Sequence, residues 1–441
     1  MTARKTLPSP ARAVALAALL LSHVAFEAGP ASAADDHMKM VVKGRSEAEQ
    51  LWRRGFTLSD STLDASLQDM LDALVAGEVM PPGVVLRVHV MRAPENNAFC
   101  LPDGSIFVFA GLLSQLTSRD QLAFILRHEA QHALGDHAAR QMRDANTKIG
   151  ALSVLSMASS LAVGSAWADL LIQGGLELTA NYSVNGYGRS LEHESDMAAA
   201  ARLGPAGYDG CGAMQALEIL RRQEKQPGRT ENTFWGNHPL LQDRIRDVTA
   251  ESKVRDCVWD STQVSEAFDS IKWPMLKLSA TLRVAAHDAV RAVRDANAYL
   301  SRFPSDADAT TTLGEAYAEV LARATGSASR SRGTFPPAAA AADTLALART
   351  AFERALELGG PDYRPPLRGL ALLAERQRDT VACIGYLERY LEGNATVRDR
   401  RMLRNRLENL RSATAGRTPV AADSAVAKPA NTPSEQRENQ P

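Results

Sequence analysis

Apolar residues recur at helical spacing along most of the chain, and two short segments interrupt that pattern. Residues 46–75 carry leucine and methionine three and four positions apart, which predicts a helix. Residues 84–91 alternate and are rich in β-branched residues, which predicts a strand. Pro102–Gly104 predicts a turn, and Ser105–Phe109 predicts a second strand after it. Helical spacing resumes over residues 111–248. The predicted fold class is therefore mainly α with a small β-sheet.

Residues 279–410 are also helical in pattern, and they contain a repeat. Ala348 and Phe352 recur as Ala382 and Tyr386, an offset of 34 residues. That offset is the tetratricopeptide period, in which small residues let paired helices approach and aromatic residues fill the space between pairs. The pattern predicts about three tetratricopeptide-like units. The alternative is a plain helical bundle whose periodicity is accidental.

The two ends of the chain differ in composition from the rest. A basic start, an apolar run over residues 14–26 and the small residues Ala31–Ala33 have the layout of a secretory signal peptide, so we expect cleavage after residue 33. The alternative is an N-terminal membrane anchor. Residues 411–441 are rich in Ala, Pro, Thr and Ser, which predicts a disordered tail.

These boundaries predict a first domain at 34–255, a linker at 256–278 and a helical-repeat domain at 279–410. Within the first domain, residues 149–172 are apolar enough to suggest a membrane span, although they contain five Ser and Asp169. Buried helices lining a cleft are the preferred interpretation, which leaves at most peripheral contact with a membrane.

Composition removes several classes of function. The net charge is −1, so nothing favours nucleic acid as a partner. The four cysteines are too few for a disulfide scaffold, and they contain no C-x-x-C pair that would indicate a zinc ribbon or a redox centre. Their spacing leaves the disulfide state open. We interpret Cys100 as a small buried residue, because no base is paired with it in the sequence.

The candidate chemistry is concentrated in His128-Glu129-Ala130-Gln131-His132, an H-E-x-x-H motif. Ser118 and Gln121 have capping-box spacing and predict the start of the helix that carries it. His128 and His132 are one helical turn apart, so both imidazoles project from one face and can hold one Zn²⁺. Glu129 lies beside them as the candidate general base.

A catalytic zinc site needs a third protein ligand and one open position. His137 lies one residue too early for a metzincin site, in which Gly135 would be in register. The other option is Glu192 on a second predicted helix. Asp196, four residues later on the same face, is placed to accept the spare N–H of a ligating histidine. Glu194 points elsewhere on that helix and is the weaker candidate.

Together these motifs resemble the M48 family of zinc metallopeptidases. The resemblance rests on His128-Glu129-x-x-His132 with His137 and on Tyr-x-Arg-x-x-Glu192-x-x-Ser-Asp196. The segment 97–106 is similar to a strand of that family. The resemblance implies a gluzincin fold, one Zn²⁺ per chain, His128, His132 and Glu192 as ligands, and Glu129 as base. An exported chain with repeats is similar to the periplasmic branch of the family that acts in outer-membrane protein quality control.

Two further elements could serve catalysis. If Ser105–Phe109 is an edge strand, an extended substrate could pair with it; the alternative is that it is core sheet. His238 precedes Pro239 in a predicted loop, where M48 relatives carry a His-Pro. It could stabilise the oxyanion of the transition state or occupy the open zinc position as a gate. It could also be a surface residue without a role.

The sequence therefore predicts a zinc endopeptidase of the bacterial periplasm that acts on protein or peptide substrates. Misassembled outer-membrane proteins are candidate substrates, and the helical repeats could dock an envelope assembly partner. The alternative is a non-proteolytic chaperone or scaffold that uses the repeats, and the intact His128, Glu129, His132 and Glu192 set argues against it.

Overall fold

The structure is a computed structural model. It describes residues 33–148, 175–176, 178–179, 187–224, 241–251, 257, 264–325, 338–393 and 397–415. Most of these residues are helical, and they include one small sheet, so the predicted fold class is confirmed. Within them, no helix combines the length and the apolar character that a membrane crossing needs. Three predicted segments lie wholly or mostly outside the described residues. They are the apolar stretch 149–172, residues 1–32 of the predicted signal peptide, and residues 416–441 of the predicted tail.

The first half of the chain holds the sheet and eight of the described helices. Its elements are α1 (Ala33–Arg53), α2 (Ser61–Leu74), β1 (Arg87–Met91), β2 (Ala98–Cys100), β3 (Ser105–Phe109), α3 (Ala110–Leu113), α4 (Arg119–Leu134), α5 (His137–Lys148), α6 (Arg189–Leu203), α7 (Cys211–Glu224) and α8 (Leu241–Glu251).

The described elements of the second half are all helices. Its elements are α9 (Asp269–Ala285), α10 (Ala289–Arg302), α11 (Ala307–Thr325), α12 (Ala338–Gly359), α13 (Pro365–Arg376), α14 (Thr380–Leu391) and α15 (Val397–Ala415). The first five residues of the predicted disordered tail thus belong to α15.

The helix predicted over residues 46–75 is two helices. α1 ends at Arg53, and α2 begins at Ser61, where the Asp60 carboxylate accepts hydrogen bonds from two backbone N–H groups of the first turn. Gly55 separates them with φ +73°, a conformation that glycine adopts without strain. The apolar spacing of α2 was correct, but the pattern did not reveal this break.

β3 is the central strand of the sheet, whose order is β1-β3-β2. β1 runs parallel to β3 and β2 runs antiparallel to it. All five residues of β3 are buried, so the expectation that it is an edge strand was wrong and the core-sheet alternative is confirmed.

Neither outer edge of the sheet is open to a peptide. Along β1, the Gln68 amide accepts from the Val88 N–H and donates to the Leu86 carbonyl, which occupies that side of the strand. All three residues of β2 are buried. Among the described strands, an extended substrate therefore has no exposed edge to pair with.

The turn between β2 and β3 requires its glycine. Gly104 has φ +93°, and a Cβ there would lie 2.7 Å from the Val85 carbonyl oxygen. The predicted turn at Pro102–Gly104 thus joins an antiparallel pair and at the same time packs against the chain that leads into β1.

α4 is the centre of the first half, because its residues are buried on nearly every side. The Ser118 hydroxyl accepts a hydrogen bond from the Gln121 N–H, as the capping box predicts. The reciprocal bond differs: the Gln121 side chain accepts from the Thr117 N–H, one residue earlier. α6 and α7 pack directly against α4 and hold it on two sides.

α9 joins the two halves of the molecule, and it crosses residue 278, the predicted end of the linker. Phe268, Ile271 and Met275 belong to the same apolar core as α4. The buried Lys272 ammonium donates to the carbonyl oxygens of Ser114 and Leu116, which tie it to the end of α3. Farther along, Leu276 packs with Tyr299 of α10.

Phe352, one of the repeated residues, fills the space between neighbouring helices. A Cβ at Gly314 would lie 2.6 Å from its ring, and a Cβ at Gly369 would lie 2.2 Å from it. The two glycines therefore let α11 and α13 close on the Phe352 side chain of α12. The assignment to the tetratricopeptide class stays a prediction.

This packing predicts that a chain ending at residue 260 is less stable than one ending at residue 287. The shorter chain lacks Phe268, Ile271 and Met275, and each large apolar side chain removed from a core costs about 2–5 kcal/mol. Urea unfolding of the two mature fragments should give a lower midpoint, or aggregation, for the shorter one. Equal midpoints would contradict the assignment of these residues to the core.

Candidate metal centre

α4 places two imidazoles side by side in the interior. His128 and His132 are one turn apart, and their Nε2 atoms lie 3.2 Å from each other. Their exposed fractions are 0% and 1%. Two imidazole nitrogens held this closely away from water need a proton or a cation between them, because each carries a lone pair in its neutral acceptor form.

α6 brings a carboxylate to the same point. Glu192 Oε2 lies 3.4 Å from His128 Nε2, and Glu192 Oε1 lies 3.9 Å from His132 Nε2. One ligand atom from each of the three residues lies within 4.8 Å of the others. In a tetrahedral zinc site with bonds of about 2.1 Å, neighbouring ligand atoms are about 3.4 Å apart. The three side chains fit a single metal ion.

Glu129 lies beside this cluster and is fully buried. Neither of its carboxylate oxygens makes a hydrogen bond within the described part of the chain. Burial, assisted by the Glu192 carboxylate and opposed by His128, raises its pKa to about 8. An ionised carboxylate at a buried position is energetically unfavourable unless a cation or a proton donor faces it.

The pKa of His128 reflects the neighbouring carboxylates. Burial alone lowers the pKa of His128, but hydrogen bonds to Asp196 and Glu192 raise it to about 9. The pKa of Glu192 is held well below its usual range against the effect of burial, chiefly by His128, His132 and Arg244. The site therefore favours positive charge at the point where the three ligand atoms converge.

Asp196 is fixed between His128 and an arginine. Its Oδ1 lies 2.9 Å from His128 Nδ1, on the side of the ring away from Glu192. Arg244 of α8 donates from Nε to Oδ2 at 2.6 Å and from Nη2 to Oδ1 at 2.9 Å. This bidentate pair holds the carboxylate in one orientation. Asp196 in turn fixes the orientation of the His128 ring.

Arg244 is a site residue to which sequence reasoning gave no role of its own. Its Nη2 also lies 3.6 Å from Glu192 Oε2, so it faces two acidic residues of α6, Glu192 and Asp196. The sequence shows it as an arginine six residues after His238, at the start of a helix that follows Pro239. Because Arg244 and Asp196 are 48 residues apart in the sequence, no local pattern could indicate that the two side chains pair.

His137 and Glu194 also lie closer to the centre than the sequence suggested. His137 Nδ1 lies 2.9 Å from His132 Nδ1, and His137 Nε2 lies 3.2 Å from Glu194 Oε1. Glu194 does point away from the ligand cluster, as expected, but it reaches the histidine behind His132. Tyr187 stacks on the His132 ring with centroids 4.0 Å apart.

The sequence also singled out His238 and Cys100. His238 lies outside the described residues, so the structure does not place it. Cys100 is buried in β2, and burial raises the pKa of its thiol well above the usual value. The cysteine is thus a small core residue, as expected.

The sequence left the disulfide state of the four cysteines open, and the structure shows one disulfide among them. Cys211 at the start of α7 is bonded to Cys257, across a sequence separation of 46 residues. Cys100 and Cys383 are free and buried.

Comparison with known proteins places this centre in a family. The model of peptidase family M48 matches residues 61–252. A mitochondrial metalloendopeptidase OMA1 of Schizosaccharomyces pombe is 30% identical over 193 residues, which are 42% of this chain and 54% of the relative. The human mitochondrial metalloendopeptidase OMA1 is 36% identical over 117 residues, 25% of this chain and 21% of the relative.

A bacterial relative carries a different name. A putative beta-barrel assembly-enhancing protease of Vibrio cholerae is 27% identical over 195 residues, 43% of this chain and 39% of the relative. The chain thus spans about half the length of the fission-yeast relative and less of the other two. The matched range includes the H-E-x-x-H helix, Glu192, Asp196 and Arg244. This chain contains a peptidase family M48 domain.

Proposed function

We propose that the chain is a zinc metalloendopeptidase exported to the bacterial periplasm. The observation that carries the proposal is the buried cluster of His128, His132 and Glu192 with Glu129 beside it. The family match supports a peptidase, and the cluster supplies the groups that such a peptidase needs.

His128, His132 and Glu192 would hold the metal. Two imidazoles and one carboxylate are a ligand set typical of catalytic zinc, and three protein ligands leave a fourth position for water or substrate. When bound, zinc supplies a Lewis acid that polarises the peptide carbonyl and makes a water molecule more acidic. The remaining chemistry belongs to side chains of this protein.

Glu129 is the proposed general base and acid. Its carboxylate oxygens are committed to no other hydrogen bond in the described residues, so they are available to a water molecule at the cluster. Glu129 would accept a proton from the attacking water and then deliver it to the leaving amine nitrogen. Asp196 and Arg244 would keep His128 in place during both steps.

Two observations support an exported protein. The first is the predicted signal peptide at residues 1–33. The second is the Cys211–Cys257 disulfide, because disulfides persist in oxidising compartments such as the periplasm and are rare in the cytosol. The OMA1 relatives are named as mitochondrial, whereas the Vibrio relative is named for β-barrel assembly.

We further propose protein substrates in the envelope, with misassembled outer-membrane proteins as the first class to test. The name of the Vibrio relative supports this choice. The helices α9–α15 form a second body of structure without metal-ligating clusters among their described residues, and we propose that they dock a substrate or an assembly partner. α9 would connect such a contact to the peptidase core.

The metal proposal predicts about one zinc per purified chain, because three ligands converge on one point. His132→Ala should lose most of this zinc. Asp196→Asn should retain it with about 10–100-fold lower affinity, since the three ligands stay in place while the support of His128 is weakened. Asp243→Asn, a half-exposed change next to Arg244, is the control. Full metal content in His132→Ala would contradict the ligand assignment.

The proposed base predicts a separation of binding from catalysis. Glu129→Gln keeps the size of the side chain but removes proton transfer, so cleavage of an unstructured protein should fall by about 10²-fold or more. Zinc content should stay unchanged. Glu251→Gln, an exposed change in α8, should cleave like the wild type. Wild-type cleavage by Glu129→Gln would refute the mechanism, and a chain inactive in both forms would favour the chaperone or scaffold alternative.

The proposed compartment predicts a processed and oxidised protein. Mass spectrometry of the cell-derived chain should show an N-terminus near Ala34. Unfolded without reductant, it should show reactive thiols only at Cys100 and Cys383, because Cys211 and Cys257 are bonded. An intact N-terminus together with four reactive thiols would argue for the cytoplasm.

A further inference from the structure

We propose that His137 is a positioning residue that fixes the tautomer and the orientation of His132, and that Glu194 and Arg140 hold it in that role. The inference deepens the proposed zinc site and rests on it. It concerns four side chains that form a continuous chain leading away from the cluster: His132, His137, Glu194 and Arg140.

The nitrogen atoms of His132 face two different partners. Its Nε2 lies 3.2 Å from His128 Nε2 and faces the point where the ligands converge. Its Nδ1 lies 2.9 Å from His137 Nδ1. A ligating imidazole must offer its lone pair to the metal, so the proton of His132 belongs on Nδ1.

The position of the proton on His132 determines the tautomer of His137. Because His132 Nδ1 donates, His137 Nδ1 must accept, and the proton of a neutral His137 is on Nε2. His137 Nε2 lies 3.2 Å from Glu194 Oε1, a carboxylate oxygen that accepts it. Each nitrogen in the chain thus has one consistent role.

Arg140 completes the chain at its outer end. Its Nη1 donates to Glu194 Oε1 at 3.1 Å, and its Nη2 donates to Oε2 at 2.9 Å. This two-point contact fixes the plane of the carboxylate, and hence the direction in which it receives the His137 proton. The two histidine ligands therefore use different supports. His128 meets Asp196 directly, whereas His132 meets Glu194 through a second imidazole.

The turn between α4 and α5 is built to place the His137 ring. A Cβ at Gly135 would lie 2.4 Å from His137 Nε2, so any other residue would displace the ring. Asp136 follows with φ +52°, which reverses the chain into α5. The Asp136 carboxylate lies 2.9 Å from His37 Nδ1, so α1 holds the turn from outside.

Packing alone does not account for His137. Tyr187 already stacks on His132 at 4.0 Å and makes an edge contact with His137. An aromatic face restrains the plane of the His132 ring, but it cannot select between the two tautomers. Beyond packing, His137 contributes an acceptor nitrogen at His132 Nδ1.

Two matched substitutions at His137 separate the effect of hydrogen-bond acceptance from the effect of packing. In His137→Asn, the side-chain oxygen occupies the position of Nδ1 and can accept from His132. In His137→Leu, a side chain of similar shape has no acceptor. We would measure the zinc dissociation constant of the full mature chain by chelator competition, and the urea midpoint of the same chains without zinc.

The proposal expects about 10–100-fold weaker zinc binding for His137→Leu and recovery of most of that loss in His137→Asn. Glu194→Gln, which keeps an acceptor for His137, should fall between the wild type and His137→Leu. Equal zinc affinity in the Asn and Leu variants, or losses that follow the urea midpoint alone, would overturn it.

Two outcomes keep the inference distinct from the proposed function. If the wild type binds no zinc, the proposed function fails first and this inference fails with it. If the wild type binds zinc and His137→Leu binds it equally well, only this inference fails. Should His137→Leu not fold, the half-exposed Glu194 gives the test instead: Glu194→Ala must weaken zinc binding more than Glu194→Gln does, and equal affinities would overturn the proposal.

Discussion

The placement of three carboxylates in the interior is the constraint on which the rest of the structure depends. Glu129, Glu192 and Asp196 are each no more than 2% exposed, and the guanidinium that faces them belongs to Arg244. Buried charge of one sign is unfavourable unless it is balanced. Burial raises the pKa of Glu129, whereas hydrogen bonds to Asp196 and Glu192 raise the pKa of His128 against the effect of its burial. A divalent cation held by His128, His132 and Glu192 would satisfy that need, and it would supply a charge that could polarise a peptide carbonyl.

The surrounding fold makes this arrangement rigid. α4 is packed by the sheet, α6 and α7, so the two histidines have little freedom to move apart. Each ligand is then supported separately, His128 by Asp196 and Arg244 and His132 by the chain through His137. Phe268, just before α9, and Ile271 of α9 extend the same core toward the second half of the molecule, and Lys272 bonds α9 to the end of α3. A partner bound to the helices beyond α9 would therefore be connected to the peptidase domain through packed structure.

The sequence predicted what depends on local spacing. Helical periodicity placed His128 with His132, and Glu192 with Asp196, on common faces, and the Pro102–Gly104 turn was visible in composition. It did not predict features that depend on distant contacts. The central position of β3 follows from its parallel pairing with β1, which no local pattern encodes. The break after α1 required a single residue, Gly55, and the roles of Arg244 and His137 required a distant helix and a tight turn. In each case the deciding contact joins residues whose spacing carries no periodic signal.

The most direct test of the account is anomalous diffraction at the zinc edge from crystals of the mature protein. The account predicts one strong peak bounded by His128 Nε2, His132 Nε2 and the Glu192 carboxylate, at about 2.0–2.2 Å from each ligand atom. A peak at another position, for example between His137 and Glu194, would contradict it. So would the absence of a peak at the cluster in a protein that cleaves peptides.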